Sequence, residues 1–246
     1  MNLDTSLATF SENITSVWKL INFDTEVRDI ALGGVQTLHE FLKNEKGFDN
    51  PKWNGERTLQ ILQGIRQSPV LKERYSTIYN QAVVLLVSYF GSVIGDVFRA
   101  AAARSLERLD PRVLDTELKL RVSELISLTN SPADQIGDLL IHKEGITFQD
   151  MQSTHRAFKQ FFGIDLHADE TAKNIIVGQA CRHAIVHDGG TANSRVMNQI
   201  RNAQPRKLKP ALALNDRIKF STDEIELLAS EMKAYMAMLV EKVKHA

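Results

Sequence analysis

Apolar residues recur at intervals of three and four along most of the chain, and alternation at intervals of two is scarce, so the pattern predicts an all-α protein. The clearest case is the C-terminal stripe Ile225, Leu228, Met232, Tyr235, Met236, Leu239 and Val243. Ser221 opens that helix, with Glu224 three residues on as its reciprocal capping partner, and the stripe faces either a core or a second subunit. At the other end the spacing predicts a helical region over about residues 5 to 45, capped by Thr5 or Ser11. A turn-rich connection, "NEKGFDNPKWNGE", leads to a short helix at Glu56 to Gln67 and a long one from about Leu71 to Glu107. Three further starts are marked by caps: Asp115 before "TELKLRVSELISL", Ser131-Pro132 before "ADQIGDLLIHKE", and Thr147 before "FQDMQSTHRAFKQFF", which ends at Gly163. The next helix begins near Asp169, its first turn acidic as the N-terminal dipole favours, and stops at Gly189-Gly190. "TANSRVMNQIRN" reads as a short helix, and "AQPRKLKPALALNDRIKF" as a Pro-interrupted connection whose last part could pair as a small β-ribbon.

Composition narrows the function classes. With 43% hydrophobic residues in 246 positions the chain can bury a core for one or two compact units. Thirty basic residues balance thirty acidic ones, so any surface for a polyanion must come from local segregation of charge. Cys181 is the single cysteine, which excludes an intramolecular disulfide and a paired-cysteine metal site and fits a reducing, cytoplasmic setting. The start "MNLDTSLATF" lacks the pattern of a signal peptide. Tyr75 to Gly95 carries no charge, but it contains Ser76, Thr77, Asn80, Gln81, Ser88 and Ser92. Its large residues Phe90, Val93, Ile94, Val97 and Phe98 recur as on a packed helix face, so a buried helix rather than a membrane span is expected.

Candidate chemistry concentrates in "CRHAIVHDGG", Cys181 to Gly190. Arg182 interrupts a run with no other formal charge from Asn174 to Val186. Burying it unpaired would cost several kcal/mol, so it must meet solvent, a partner or a ligand. His183 and His187 stand one turn apart on one face, with Arg182 about 100° round the helix from His183. The free carbonyls of the last turn complement positive charge near His187, and Gly189-Gly190 lets the chain turn away from it. Such an end suits a phosphodiester, because a guanidinium forks onto phosphate oxygens and imidazole moves protons near neutral pH.

Other readings of the same residues stay open. His183 and His187 have the spacing of two metal ligands, but Ala184 stands where a zinc hydrolase has Glu, and no third ligand is placed; no metal or cofactor is called for. Cys181 is a packed thiol or, beside Arg182, an activated one. Arg195, Arg201, Arg206, Lys207 and Lys209 follow the motif with no acidic residue between Gly189 and Asn215, as an RNA-backbone surface or a solvated loop. His142, His155 and His167 have no motif context and are read as surface or capping residues.

"RHAIVHDGG" resembles the R-x4–6-H motif of HEPN-superfamily ribonucleases, with Arg182 and His187 as the motif pair and His183 as the polar residue after the arginine. "GITFQDMQSTHRAFKQFFGI" and "NDRIKFSTDEIELLASEMKAYMAMLVEKV" look like flanking elements in the larger bacterial HEPN proteins of toxin–antitoxin and phage-defence type. "NQAVVLLVSYFGSVIGDVF" looks like their first core helix, although Gly91 and Ser92 stand where some relatives carry an acid, the nearest carboxylate being Asp96. The resemblance runs from Tyr75 to the C-terminus, which divides the chain into a helical N-terminal elaboration, 1–70, and a HEPN-like bundle, 71–246, with one compact unit as the alternative. It implies a homodimer whose motif helices face each other across one cleft and cut RNA without a metal ion. Paired Arg182 side chains would hold the phosphate, two copies of His187 would act as base and acid, and His183 would orient or polarise. The 2′-OH would attack the adjacent phosphate, leaving a 2′,3′-cyclic phosphate and a 5′-OH, with DNA inert. The implied role is a toxin or antiviral effector restrained by an antitoxin or regulatory protein, away from membranes. The competing class is a non-catalytic HEPN bundle that binds a protein or nucleotide and uses Arg182 and His187 as anion ligands.

Overall fold

The chargeless stretch becomes the axis of the protein. In the computed structural model, which describes residues 3–44, 55–65, 69–121 and 132–246, it lies inside a long helix, and the fold is all-α. In chain order the described helices are α1 (Leu3–Asn44), α2 (Gly55–Ile65), α3 (Pro69–Glu107), α4 (Pro111–Leu114), α5 (Pro132–Lys143), α6 (Met151–Phe162), α7 (Glu170–His187), α8 (Ser194–Ile200) and α9 (Thr222–His245). Within α3, Tyr75–Glu107 is by length and composition able to cross a membrane, but 56% of its most apolar window is buried inside the protein. Phe90, Ile94, Val97 and Phe98 are fully buried. The Phe98 ring meets those of Phe148, Phe158, Phe161 and Phe162 at centroid distances of 5.4, 5.6, 5.9 and 4.9 Å, joining α6 to α3 through aromatic packing.

The C-terminal stripe lies in the chain's own core: every one of its seven residues on α9 is buried, and Tyr235 meets Phe90 edge-on at 5.8 Å. Phe10, Ile14, Val17 and Ile21 of α1 enter the same core, with Phe10 and Phe90 rings 6.2 Å apart. Further along α1, Phe23, Val27, Ile30 and Phe41 are exposed. Gly178 lets α7 nest on α9; a Cβ there would stand 2.8 Å from a Leu228 methyl. Backbone caps set the ends that matter. Asp169 accepts from Ala172 N at 2.8 Å to begin α7, and Ser221 and Glu224 form the expected capping box of α9.

Four local expectations are corrected. Helix α6 starts at Met151 with Asp150 as its cap, accepting from Ser153 N at 2.7 Å, while the Thr147 hydroxyl serves the preceding turn by accepting from Gln149 N. Asp115 closes a helix instead of opening one. The pair Asp110-Pro111 nucleates α4 just upstream, with Asp110 accepting from Arg112 N and Pro111 preset for the first turn. Residues 116–121 are non-helical, and the rest of that expected helix, 122–131, lies outside the described residues. The expected ribbon reduces to one antiparallel bridge, Thr191 with Arg217. His155 is half-buried, not a free surface residue: its ring lies parallel to Tyr235 at 6.3 Å, and burial, ahead of the opposing pull of Asp165, holds its pKa below 6.5.

Candidate functional site

The site is the C-terminal end of α7, and burial along that helix decides which side chains can act. Asn174, Val177, Cys181 and Ala184 follow one another at three and four residues and are buried, while Arg182 and His183 are half-buried and His187 exposed. The His183 and His187 rings stand 4.7 Å apart, tilted by 44°. Arg182 forms no hydrogen bond or ion pair among the described residues, which leaves its guanidinium free for an anion. The helix stops sharply. Asp188 N and Gly190 N both donate to Ala184 O at 2.9 Å, and Gly189 and Gly190 take φ of 62° and 76°, backbone that only glycine adopts without strain.

Electrostatics act on His183 and dispose of the thiol. Partial burial, then the positive charge of Arg195, the neighbouring His187 ring and Arg182, hold the His183 pKa below 6.5, against an opposing pull from Asp188. Cys181 is fully buried, and burial pushes its thiol up to about 12, so it is a packed core residue and not a nucleophile. Among the described residues no three His, Cys, Asp or Glu side chains converge as a metal-ligand set. Asp96, the carboxylate nearest Gly91 and Ser92, is engaged elsewhere. It pairs with Arg99 at 3.1 Å, and Arg99 also holds Asp138 of α5 at 2.7 Å. Burial, the largest influence, raises its pKa, with Arg99 opposing.

The five basic residues that follow the motif differ in their partners within the fold. The Lys209 ammonium is turned inward: it pairs with Glu224 at 2.6 Å, donates to the Lys219 carbonyl and lies 4.4 Å from the Phe220 ring centre. Arg206 donates to the carbonyls of Lys209 and Ile200 and thereby braces its own loop. Lys207 pairs with Glu170 at 3.0 Å, and Arg201 donates to Asn198 at 2.7 Å. Arg195 alone of the five is exposed with no hydrogen bond or ion pair among the described residues, and its charge acts on His183. Of the five expected RNA-binding residues, Arg195, Arg201 and Lys207 are thus exposed and Arg206 and Lys209 partly buried. Lys209 and Arg206 hold the 201–210 loop, because buried carbonyls and Glu224 need donors more than a solvated loop needs cations.

No family model, curated protein or solved structure matches the chain. Its chemistry therefore rests on the geometry.

Two functional contributors have weak sequence signals. Asn174, a lone amide in the apolar run "NIIV", is fully buried; its Oδ1 accepts from Lys207 N and Leu208 N, both at 3.0 Å, and its Nδ2 donates to Glu231 at 3.2 Å. It ties the basic loop to the motif helix and to α9. Arg217 is carried to the motif end by the bridge with Thr191, a juxtaposition no local pattern encodes. The open grooves nearby, of about 450 and 360 Å³, are lined by residues between Met197 and Glu224 and include neither Arg182 nor the two histidines. Arg182 and His183 are half-buried and His187 is exposed, so the motif end is open to solvent at His187.

Proposed function

We propose that the protein is a metal-independent endoribonuclease of HEPN type, acting as a toxin or antiviral effector. The observation that carries this reading is the pair of imidazoles 4.7 Å apart beside a guanidinium with no hydrogen bond or ion pair among the described residues, at one helix end. The open motif end supports a composite site. A second copy facing it supplies the opposite wall and a second Arg182, and excludes the water that would otherwise weaken each charge–phosphate contact.

Chemically, the ribose 2′-oxygen attacks the adjacent phosphorus, and its proton passes to a neutral imidazole. The P–O5′ bond breaks as the phosphorane collapses, and the leaving 5′ oxygen takes a proton from an imidazolium. Arg182 balances the charge that builds on the non-bridging oxygens. His183, held in the neutral form near pH 7, is assigned the base, and His187 the acid. This moves the base from a second copy of His187 to the neighbouring ring.

Purified protein mixed with total RNA in EDTA is expected to cut it, and mass spectrometry to find 2′,3′-cyclic phosphate and 5′-hydroxyl ends. Cleavage that EDTA stops, or no cleavage at all, overturns the reading; the latter leaves the anion-binding module. The base assignment sets a pH dependence. His183 must be unprotonated to act, so kcat/KM falls as pH drops through its pKa, and that acid limb lies below 6.5. Arg195→Ala removes a positive charge that disfavours the imidazolium and moves the limb up towards 6.5. A limb that starts at 6.5 or above, unmoved by Arg195→Ala, removes His183 from the role.

A further inference from the structure

We infer that Arg217 is a substrate-binding residue of this site, contacting an RNA phosphate next to the scissile one. The inference rests on the ribonuclease reading above and extends it to a residue outside the motif.

The backbone geometry makes the case. Thr191 and Arg217 form an antiparallel bridge, framed by Ala192 N to Asp216 O at 2.9 Å, Asn215 N to Ala192 O at 2.7 Å and Ile218 N to Gly190 O at 2.8 Å. Side chains alternate across such a pair, and here the alternation has a marked inside and outside. Gly190, Ala192 and Ile218 are buried, so Thr191 and Arg217 take the opposite face, and Arg217 is exposed. That face belongs to the loop that leaves His187 through Gly189 and Gly190. Asn80 of α3 fixes the arrangement from beneath, donating to Ile218 O at 2.9 Å and accepting from Phe220 N at 3.2 Å.

Charge partnering supplies the second, independent observation. Arg217 has no hydrogen bond or ion pair among the described residues, in common with Arg182 and Arg195. The adjacent Asp216 forms no ion pair with it, and its carboxylate accepts from Ala213 N at 2.8 Å. Asp188 is the other acid at this end. By contrast Arg201, Arg206, Lys207 and Lys209 are all committed to partners within the fold. In a chain with equal numbers of acidic and basic residues, Arg182 and Arg195 act on His183 and Arg217 is bridged to Thr191 on the exit loop, three guanidiniums without ion pairs along the path of a polyanion that runs past the reacting phosphate. Arg182 serves the scissile phosphate. Arg217, held by backbone on the outer side of the exit loop, serves its neighbour.

The test uses the full chain and a fluorescein-labelled 2′-O-methyl oligoribonucleotide, which lacks the attacking hydroxyl, with Kd measured by anisotropy across a salt series. Loss of one phosphate contact to a single strand lowers the slope of log K against log salt by about 0.7. Arg217→Ala is expected to show that drop and to weaken binding several-fold for every sequence tried, whereas Arg217→Lys restores the slope. On cleavable RNA, Arg217→Ala raises KM with little change in kcat. Unchanged Kd and slope in Arg217→Ala, with wild-type chain that binds and cuts RNA, overturn the assignment alone. Wild-type chain that neither binds the oligonucleotide nor cuts RNA overturns the ribonuclease reading and the assignment with it.

Discussion

His187→Ala lowers the rate of RNA cleavage by about 10²–10⁴-fold, the usual worth of a positioned proton donor, with the melting temperature unchanged. The second half of this expectation follows from exposure: the imidazole is exposed and has no hydrogen bond or ion pair among the described residues, so truncation opens no cavity and strands no buried partner. Arg182→Ala lowers the rate by about 10²–10³-fold, because the guanidinium meets charge that develops only in the transition state. The fall appears in kcat as well as kcat/KM. Since the two groups act on one phosphate, the double variant loses much less than the product of the single effects. In cells, growth arrest on expression of the wild-type chain should disappear with either substitution. Both single variants cutting RNA at the wild-type rate would remove the motif from the chemistry.

Asn174→Ala has the largest expected effect on stability. The side chain is fully buried and satisfies two backbone N–H groups of the basic loop while donating to Glu231. Truncation leaves Lys207 N and Leu208 N unpaired, and each stranded buried donor costs about 1–3 kcal/mol, for a total of about 2–4 kcal/mol when partial relaxation is allowed. Urea unfolding followed by circular dichroism measures it as a lower midpoint at nearly constant slope. The loop held by Asn174 begins where α8 ends, so partial loss of the Arg195 influence on His183 should accompany the destabilisation. A midpoint within about 0.5 kcal/mol of wild type, the range of ordinary surface changes, would show that the amide is not the tie described.

The parts of the fold that could be read locally are those governed by local physics. The α9 stripe and its Ser221–Glu224 capping box, the Asp169 start of α7 and its Gly189-Gly190 stop all arise from interactions within one turn of the chain, so a one-dimensional pattern suffices for them. The misplaced starts at Asp115 and Thr147 show the limit of that physics. In each case a nearby aspartate, Asp110 or Asp150, offered a competing cap, and propensity alone does not decide between two acceptable acceptors. His155 was misread because an isolated histidine carries no sign of the Tyr235 ring that covers it.

The motif end divides in the same way. Arg182, His183 and His187 were legible because helical spacing alone puts the histidines on one face and forbids an unpaired arginine in the core. The fate of the cations after Gly190 was not. Whether a lysine or arginine is free for an anion depends on carboxylates and carbonyls brought from elsewhere in the chain: Glu224 for Lys209, Glu170 for Lys207, Ile200 O for Arg206. Arg217 is brought beside Thr191, at the exit of α7, only by a backbone bridge between residues far apart in the chain. Helix type, ends and the motif's shared face are thus properties of neighbouring residues. Which charges remain unpaired beside that face is a property of long-range contacts, since ion pairing is set by distance in space and not by position along the chain.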